Sequence, residues 1–228
     1  MRLDAATFLL QWSTGGLAFL WFTLRSKEIS LGYSKLLRAT YGVLAALGVV
    51  AGFYFDRVLI REVAGVAVAG IAFATFAKRE SRTDLFAVAV GAVGLISSVV
   101  ASGGGVVDLL RVLVGAAFLG AVTDLMLLGH WYLVQPGMTR KLLNELTNAV
   151  LFIWPLEVVV MILPTGMISV LNGSIDDGWN GILGYFWLGC AVLTGVLAVF
   201  TRAALKERSY SAVMAATGLS YLAILTAF

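Results

Sequence analysis

The sequence predicts an all-α fold, a polytopic transmembrane bundle of about eight helices, on three observations. Apolar residues make up 60% of the chain and charged residues only 13%, whereas a soluble globular domain carries about a quarter charged residues. The apolar residues fall into runs of spanning length divided by short polar turns. The basic residues gather on alternate turns.

A helix needs roughly 20 apolar residues to cross a hydrocarbon core of about 30 Å. The first run, 5–24, meets this length. Arg2 ahead of it is offset by Asp4, and Arg25, Lys27 and Lys35 follow it. A cleaved signal peptide would instead carry a basic start and a small-residue cleavage site, so this run is expected to be a retained helix. The next runs are 37–55, 60–77 and 85–101. The last two of these are short and leave a seven-span alternative with a re-entrant pair open. The remaining runs are 109–133, 147–170, 181–201 and 211–228. With no segment left for a soluble domain, one integral membrane domain, 1–228, is expected.

Lys and Arg favour cytoplasmic loops. Arg25, Lys27, Lys35, Arg38, Lys78, Arg79, Arg82, Arg140, Lys141, Arg202, Lys206 and Arg208 fall on one set of turns; Arg2, Arg57, Arg61 and Arg111 fall on the other, with the acidic loop 174–178. The imbalance predicts a multi-pass protein of the inner cell membrane with both termini extracytoplasmic. The net charge of +3 therefore reads as a topology signal. The basic residues form no continuous face, so no nucleic-acid partner is expected.

An internal repeat is suggested at a fixed offset. Arg25, Tyr33, Ser34, Ala39, Thr40 and Ala46 match Arg202, Tyr210, Ser211, Ala216, Thr217 and Ala223. This aligns the first hairpin with the last and fits a bundle of repeated hairpins running in the same direction. The 25 glycines lie mostly inside spans, where small residues let helix backbones approach closely in lipid. Gly103, Gly104 and Gly105 lack the Lys-Ser/Thr that completes a phosphate loop.

An ionisable group in hydrocarbon is expensive and marks a functional candidate. Asp124 and Glu157 are two such groups, and the sequence predicts a protonatable pair near the midplane. The alternative for each is a hydrogen-bonded packing role. Pro155 lies beside Glu157 and Pro164 follows; both are expected to kink the sixth helix by freeing backbone carbonyls. His130 is the only histidine and is placed as a cytoplasmic relay or as a snorkelling interfacial residue. It lies about 9 Å from Asp124 along the axis and roughly 240° around it, so Thr123, not Asp124, shares its face. Trp131, Tyr132 and Gln135 form a rim suited to a quinone or a partner protein, since Trp and Tyr favour the membrane interface.

No metal and no cofactor is expected. Zinc needs three or four ligands, and the lone Cys190 reads as a buried structural thiol. Bis-histidine haem is excluded by count, although His130 with a methionine, or alone, leaves a single haem formally open. No Gly-x-Ser-x-Gly elbow supports serine catalysis, and no catalytic residue is assigned. Asn172-Gly173-Ser174 reads as a turn. Eight spans in four hairpins with basic turns on one side is an arrangement shared by several membrane redox and assembly proteins. The histidines that would make such a likeness specific are missing, so no family is indicated.

Two functions follow as expectations. The first is a small proton- or cation-coupled transporter or channel-like protein using Asp124, Glu157 and His130. The alternative is a non-catalytic subunit or assembly factor of a membrane redox complex that uses the rim. Membrane-embedded chemistry on a lipid is less favoured for lack of polar residues. The bilayer is the expected partner, with a homo-oligomer or larger membrane complex in keeping with the absence of a soluble domain.

Overall fold

A computed structural model of the chain describes residues 4–26, 28–78, 82–135, 137–207 and 209–227. Of the basic residues counted above, Arg2, Lys27, Arg79 and Arg208 lie outside them. Every regular element among the described residues is an α-helix. In chain order they are α1 Ala5–Leu24, α2 Leu31–Tyr54, α3 Leu59–Ala74, α4 Thr83–Ala101, α5 Val106–Val134, α6 Lys141–Ile162, α7 Gly166–Leu171, α8 Ile182–Ala204 and α9 Tyr210–Thr226.

Five of these helices are long and apolar enough to cross a membrane: α2, α4, α5, α6 and α8. Their outward faces carry large apolar side chains, among them Val43, Leu47, Val50, Phe186, Val199 and Phe200. Soluble proteins rarely leave contiguous apolar surface of this kind in water. The chain has the build of a multi-pass membrane protein.

Neighbouring helices close two rings. α1, α2, α3 and α4 pack in one cycle; α5, α6, α8 and α9 pack in the other; the α1–α5 contact joins them. Cross-helix bonds set the directions. Gln11 Nε2, early in α1, donates to the carbonyl of Val112, early in α5, at 2.8 Å, so these two helices run parallel. Arg61, at the start of α3, reaches Asp4, which caps the start of α1. Thr75, just after α3, accepts from Arg38 near the start of α2. The short α3 thus lies alongside α1 and α2, with its start beside the start of α1 and its end beside the start of α2.

The α1–α5 crossing explains a glycine requirement. A Cβ on Gly15 would lie 1.7 Å from the carbonyl oxygen of Ala116, and one on Gly120 would lie 2.2 Å from the Gly15 carbonyl carbon. Only glycine allows this approach, which brings the two backbones into van der Waals contact where no hydrophobic effect drives helices together.

The expected span 147–170 is divided. α6 starts at Lys141 and ends at Ile162, and Leu163 is extended, the conformation that a following proline favours. Pro155 stays within α6, and Pro164 separates α6 from α7, so Pro164 terminates a helix instead of kinking one. Arg111 of α5 donates to the carbonyl of Val160 at 2.9 Å and to that of Leu163, satisfying the frayed end of α6.

Three arginines expected as loop charges are not in loops. Arg38 and Arg61 are buried within α2 and α3, and Arg111 is partly buried in α5. Arg38 Nη2 lies 2.7 Å from Asp84 Oδ2, while Nη1 donates to the Thr75 carbonyl at 3.0 Å and to that of Lys78. Arg61 binds Asp4 and Glu62, each at 2.7 Å. Buried charges persist when paired and fully hydrogen-bonded. The two clusters sit at opposite ends of the first ring.

Candidate functional site

The second ring is not filled. A cavity of about 340 Å³ lies among α1, α5, α6 and α8, with α7 and the end of α9 also contributing to its wall. Most of its wall is apolar, supplied by Phe8, Phe118, Trp154, Met161, Met167 and Trp187. Cys190 also lines it and is half-buried, not the sealed thiol expected from sequence. Trp154 is held by its Nε1, which donates to the Ala191 carbonyl at 2.8 Å, and Gly195 leaves room for its ring.

Two polar side chains face this cavity without satisfying their own hydrogen-bonding capacity. Glu157 Oε2 and Gln11 Oε1 are both buried, and neither has a hydrogen-bond partner among the described residues. They flank the same spot: a Cβ on Gly115 would lie 2.8 Å from Gln11 Nε2 and 3.7 Å from Glu157 Oε1. Gln11 is fixed by its bond to Val112, which leaves its carbonyl oxygen free to accept. Arg111 and Asp108 border the cavity as well. Arg111 is engaged by Asp108 at 3.2 Å and by the two α6 carbonyls. Among the described residues, Arg111 is thus engaged elsewhere and Glu157 Oε2 has no donor.

Asp124 occupies a different place. It is wholly buried and does not line the cavity. Glu157 lies level with Gly115, nine residues before Asp124 on α5, a separation of about 13.5 Å along the axis. The two acids do not form the midplane pair expected from sequence. The Tyr41 hydroxyl of α2 donates to Asp124 Oδ1, and Tyr41 reaches it past α1 because Gly16 leaves space: a Cβ there would lie 2.1 Å from the ring. Asp124 is a tether across α1. Its second oxygen, Oδ2, is buried without a partner among the described residues.

The other sequence candidates divide between α5 contacts and the bundle surface. Thr123 accepts from Trp12 Nε1 at 2.7 Å, tying α1 to α5. His130 is exposed on the outside of the bundle, away from the sealed Asp124. Trp131 and Gln135 point at the α1–α2 turn. Trp131 Nε1 donates to Ser30 Oγ and to Gln135 Oε1, each at 3.2 Å, and Gln135 Nε2 donates to the Glu28 carbonyl at 2.7 Å. Tyr132 is buried. The expected rim is largely spent on the chain's own turn, because a turn that leaves a helix exposes carbonyls and amides that need partners.

No known family model matches this chain, and no curated protein or solved structure matches it either.

Gln11, Tyr41, Arg38 and Asp84 were absent from the sequence candidates. A helical stripe signals Arg38, since Ser34, Arg38, Tyr41, Ala45, Gly48 and Gly52 are all buried on α2 at steps of three or four. Among the described residues, no three His, Cys, Asp or Glu side chains gather closely enough to hold a metal ion. In the 174–178 loop, Asp177 accepts the backbone N–H groups of Gly181 and Trp179 at 2.8 Å and of Leu183 at 3.0 Å. These bonds, that from Gly181 first, hold its carboxyl below the usual range.

Proposed function

We propose that this chain is a small proton- or cation-coupled membrane transporter or channel-like protein whose working group is Glu157 alone. The observation that carries the reading is the Glu157 carboxyl oxygen, buried at the cavity wall with no donor among the described residues. A carboxylate in such surroundings is costly unless something cationic or a proton meets it. Pro155, two residues earlier in α6, frees the carbonyl of Leu151 and so removes one backbone bond from the turn beside Glu157.

The topology we infer has all eight longer helices crossing the bilayer in alternating directions. The turns carrying Arg25, Lys78, Arg82, Arg140, Lys141, Arg202 and Lys206 would be cytoplasmic, and both termini extracytoplasmic in an inner cell membrane. On that orientation the cavity lies in the outer half, beside the starts of α1 and α5. The redox-subunit alternative depended on Trp131, Tyr132 and Gln135, and the commitment of Trp131 and Gln135 to the α1–α2 turn favours the cavity.

The test is flux. The purified protein is reconstituted into liposomes loaded with a pH-sensitive dye, and a pH gradient is imposed with and without added cations. Wild type should dissipate the gradient, and Glu157→Gln should not. A wild type as tight as empty liposomes, or a Glu157→Gln variant as leaky as wild type, sinks the proposal.

A further inference from the structure

The walls of the cavity identify the class of ligand it fits. We infer that it binds a small amphipathic amine in its ammonium form, with the nitrogen between Glu157 and Gln11 and an aromatic or branched apolar body against Phe8, Phe118, Trp154 and Trp187. The inference rests on the transporter reading and names its substrate class.

Three features select this chemistry. First, the unsatisfied groups are both acceptors, Glu157 Oε2 and Gln11 Oε1, so a complementary ligand must bring donors. An ammonium group carrying N–H bonds supplies both hydrogen bonds and the charge that Glu157 lacks. Second, the mostly apolar lining includes four aromatic rings and two thioethers, those of Phe8, Phe118, Trp154, Trp187, Met161 and Met167. Aromatic faces attract organic cations within about 6 Å, whereas a hard metal cation asks for six or more oxygen ligands and would meet few here. Third, the volume of about 340 Å³ lies at the small end of ligand sites, which run from about 300 to 1,000 Å³. That favours a single-ring amine over a drug-sized or lipid molecule.

Among the described residues at the cavity, Arg111 is engaged by Asp108 and by the carbonyls at the end of α6. The carboxylate oxygen left there without a donor among the described residues is that of Glu157. Gln11 matters as much for what it fixes as for what it accepts. Its amide nitrogen is already bonded to Val112, so its oxygen cannot turn away without breaking that bond.

The experiment is calorimetric titration of the full chain in detergent micelles with phenethylamine, and in parallel with its neutral isostere 2-phenylethanol. Phenethylamine should bind saturably, one per chain. Glu157→Gln and Gln11→Leu should each weaken it by about tenfold or more, since a hydrogen bond to a charged group contributes about 1.5–3 kcal/mol. The alcohol, which brings one donor and no charge, should bind at least about tenfold more weakly and lose less affinity to Glu157→Gln than the amine does. Melting of each variant, followed by tryptophan fluorescence, verifies that it is folded, and Gln11→Leu carries the test if Glu157→Gln is not. Equal affinity for amine and alcohol, no saturable amine binding, or amine binding untouched by the folded variants overturns the inference. If amine binding fails while Glu157-dependent proton flux persists in liposomes, the ligand class is wrong and the transporter reading stands.

Discussion

The Arg38 guanidinium lies 2.7 Å from Asp84 Oδ2, with both side chains sealed inside the first helical ring. The pair joins α2 to α4 at the end of the ring where α3 also terminates, through the Thr75 and Lys78 carbonyls. Removing one member of a buried pair leaves the other uncompensated, at a cost of about 3–5 kcal/mol, whereas replacing both by apolar groups is often neutral. Arg38→Leu and Asp84→Leu should each lower the melting temperature in micelles strongly, and the double variant should recover much of the loss. Single variants that melt with wild type would show that the pair contributes no stability.

The α1–α5 crossing makes a second prediction. Gly15→Ala drives a methyl into the Ala116 carbonyl, and overpacking of this kind costs about 1–3 kcal/mol. Gly70, in α3, has nothing within 4 Å of the corresponding position. Gly70→Ala should be neutral or slightly stabilising, since alanine favours a helix over glycine by about 1 kcal/mol. The comparison is read in melting temperature and in resistance to detergent-induced dissociation of the two rings. Equal behaviour of the two variants removes the close crossing as a cause of stability.

These two contacts also mark what the sequence could and could not reveal. The run 5–24 coincides with α1, and 109–133 falls within Val106–Val134, because a hydropathy pattern reports where apolar residues lie along the chain. It does not report where a helix begins. α2 and α6 start six residues before their apolar runs, since polar residues such as Ser34, Lys35 and Asn144 fit a helix as well as a loop. Depth along the helix is misread for Glu157: the run 147–170 puts it near mid-helix, whereas α6 is Lys141–Ile162, which sets it level with Gly115 and about 13.5 Å along the axis from Asp124. Direction around a helix is not legible either, which is why Tyr41 is missed as the partner of Asp124 and Arg38 is counted among loop charges. Gln11 escaped notice because a single amide in an apolar run has no pattern, and only the approach of α5 gives it a role.

Asp177 sets a pH dependence outside the membrane-spanning helices. Its carboxylate accepts three backbone N–H groups leading into α8, and these bonds lower its pKa. A depressed folded-state pKa means a stabilising contribution present above the unfolded value of about 3.9 and lost as pH falls through the lower folded value. The Gly181 amide resonance should therefore titrate with a midpoint below about 3.9, and Asp177→Asn should abolish the transition. A midpoint at or above that value contradicts the assignment.

The two acids should separate by function. Asp124 shares a hydrogen bond with Tyr41 and does not reach the cavity, whereas Glu157 lines it. Tyr41→Phe leaves both Asp124 oxygens without a donor, and an unsatisfied buried group costs about 1–3 kcal/mol. Its melting temperature should fall while proton flux per folded molecule holds. Asp124→Asn keeps an oxygen for the Tyr41 hydroxyl, so it should fold and conduct like wild type. Glu157→Gln should do the reverse, melting near wild type and losing flux. A folded Asp124→Asn variant that loses flux would put Asp124 back on the proton path, and the tether across α1 would then be a relay.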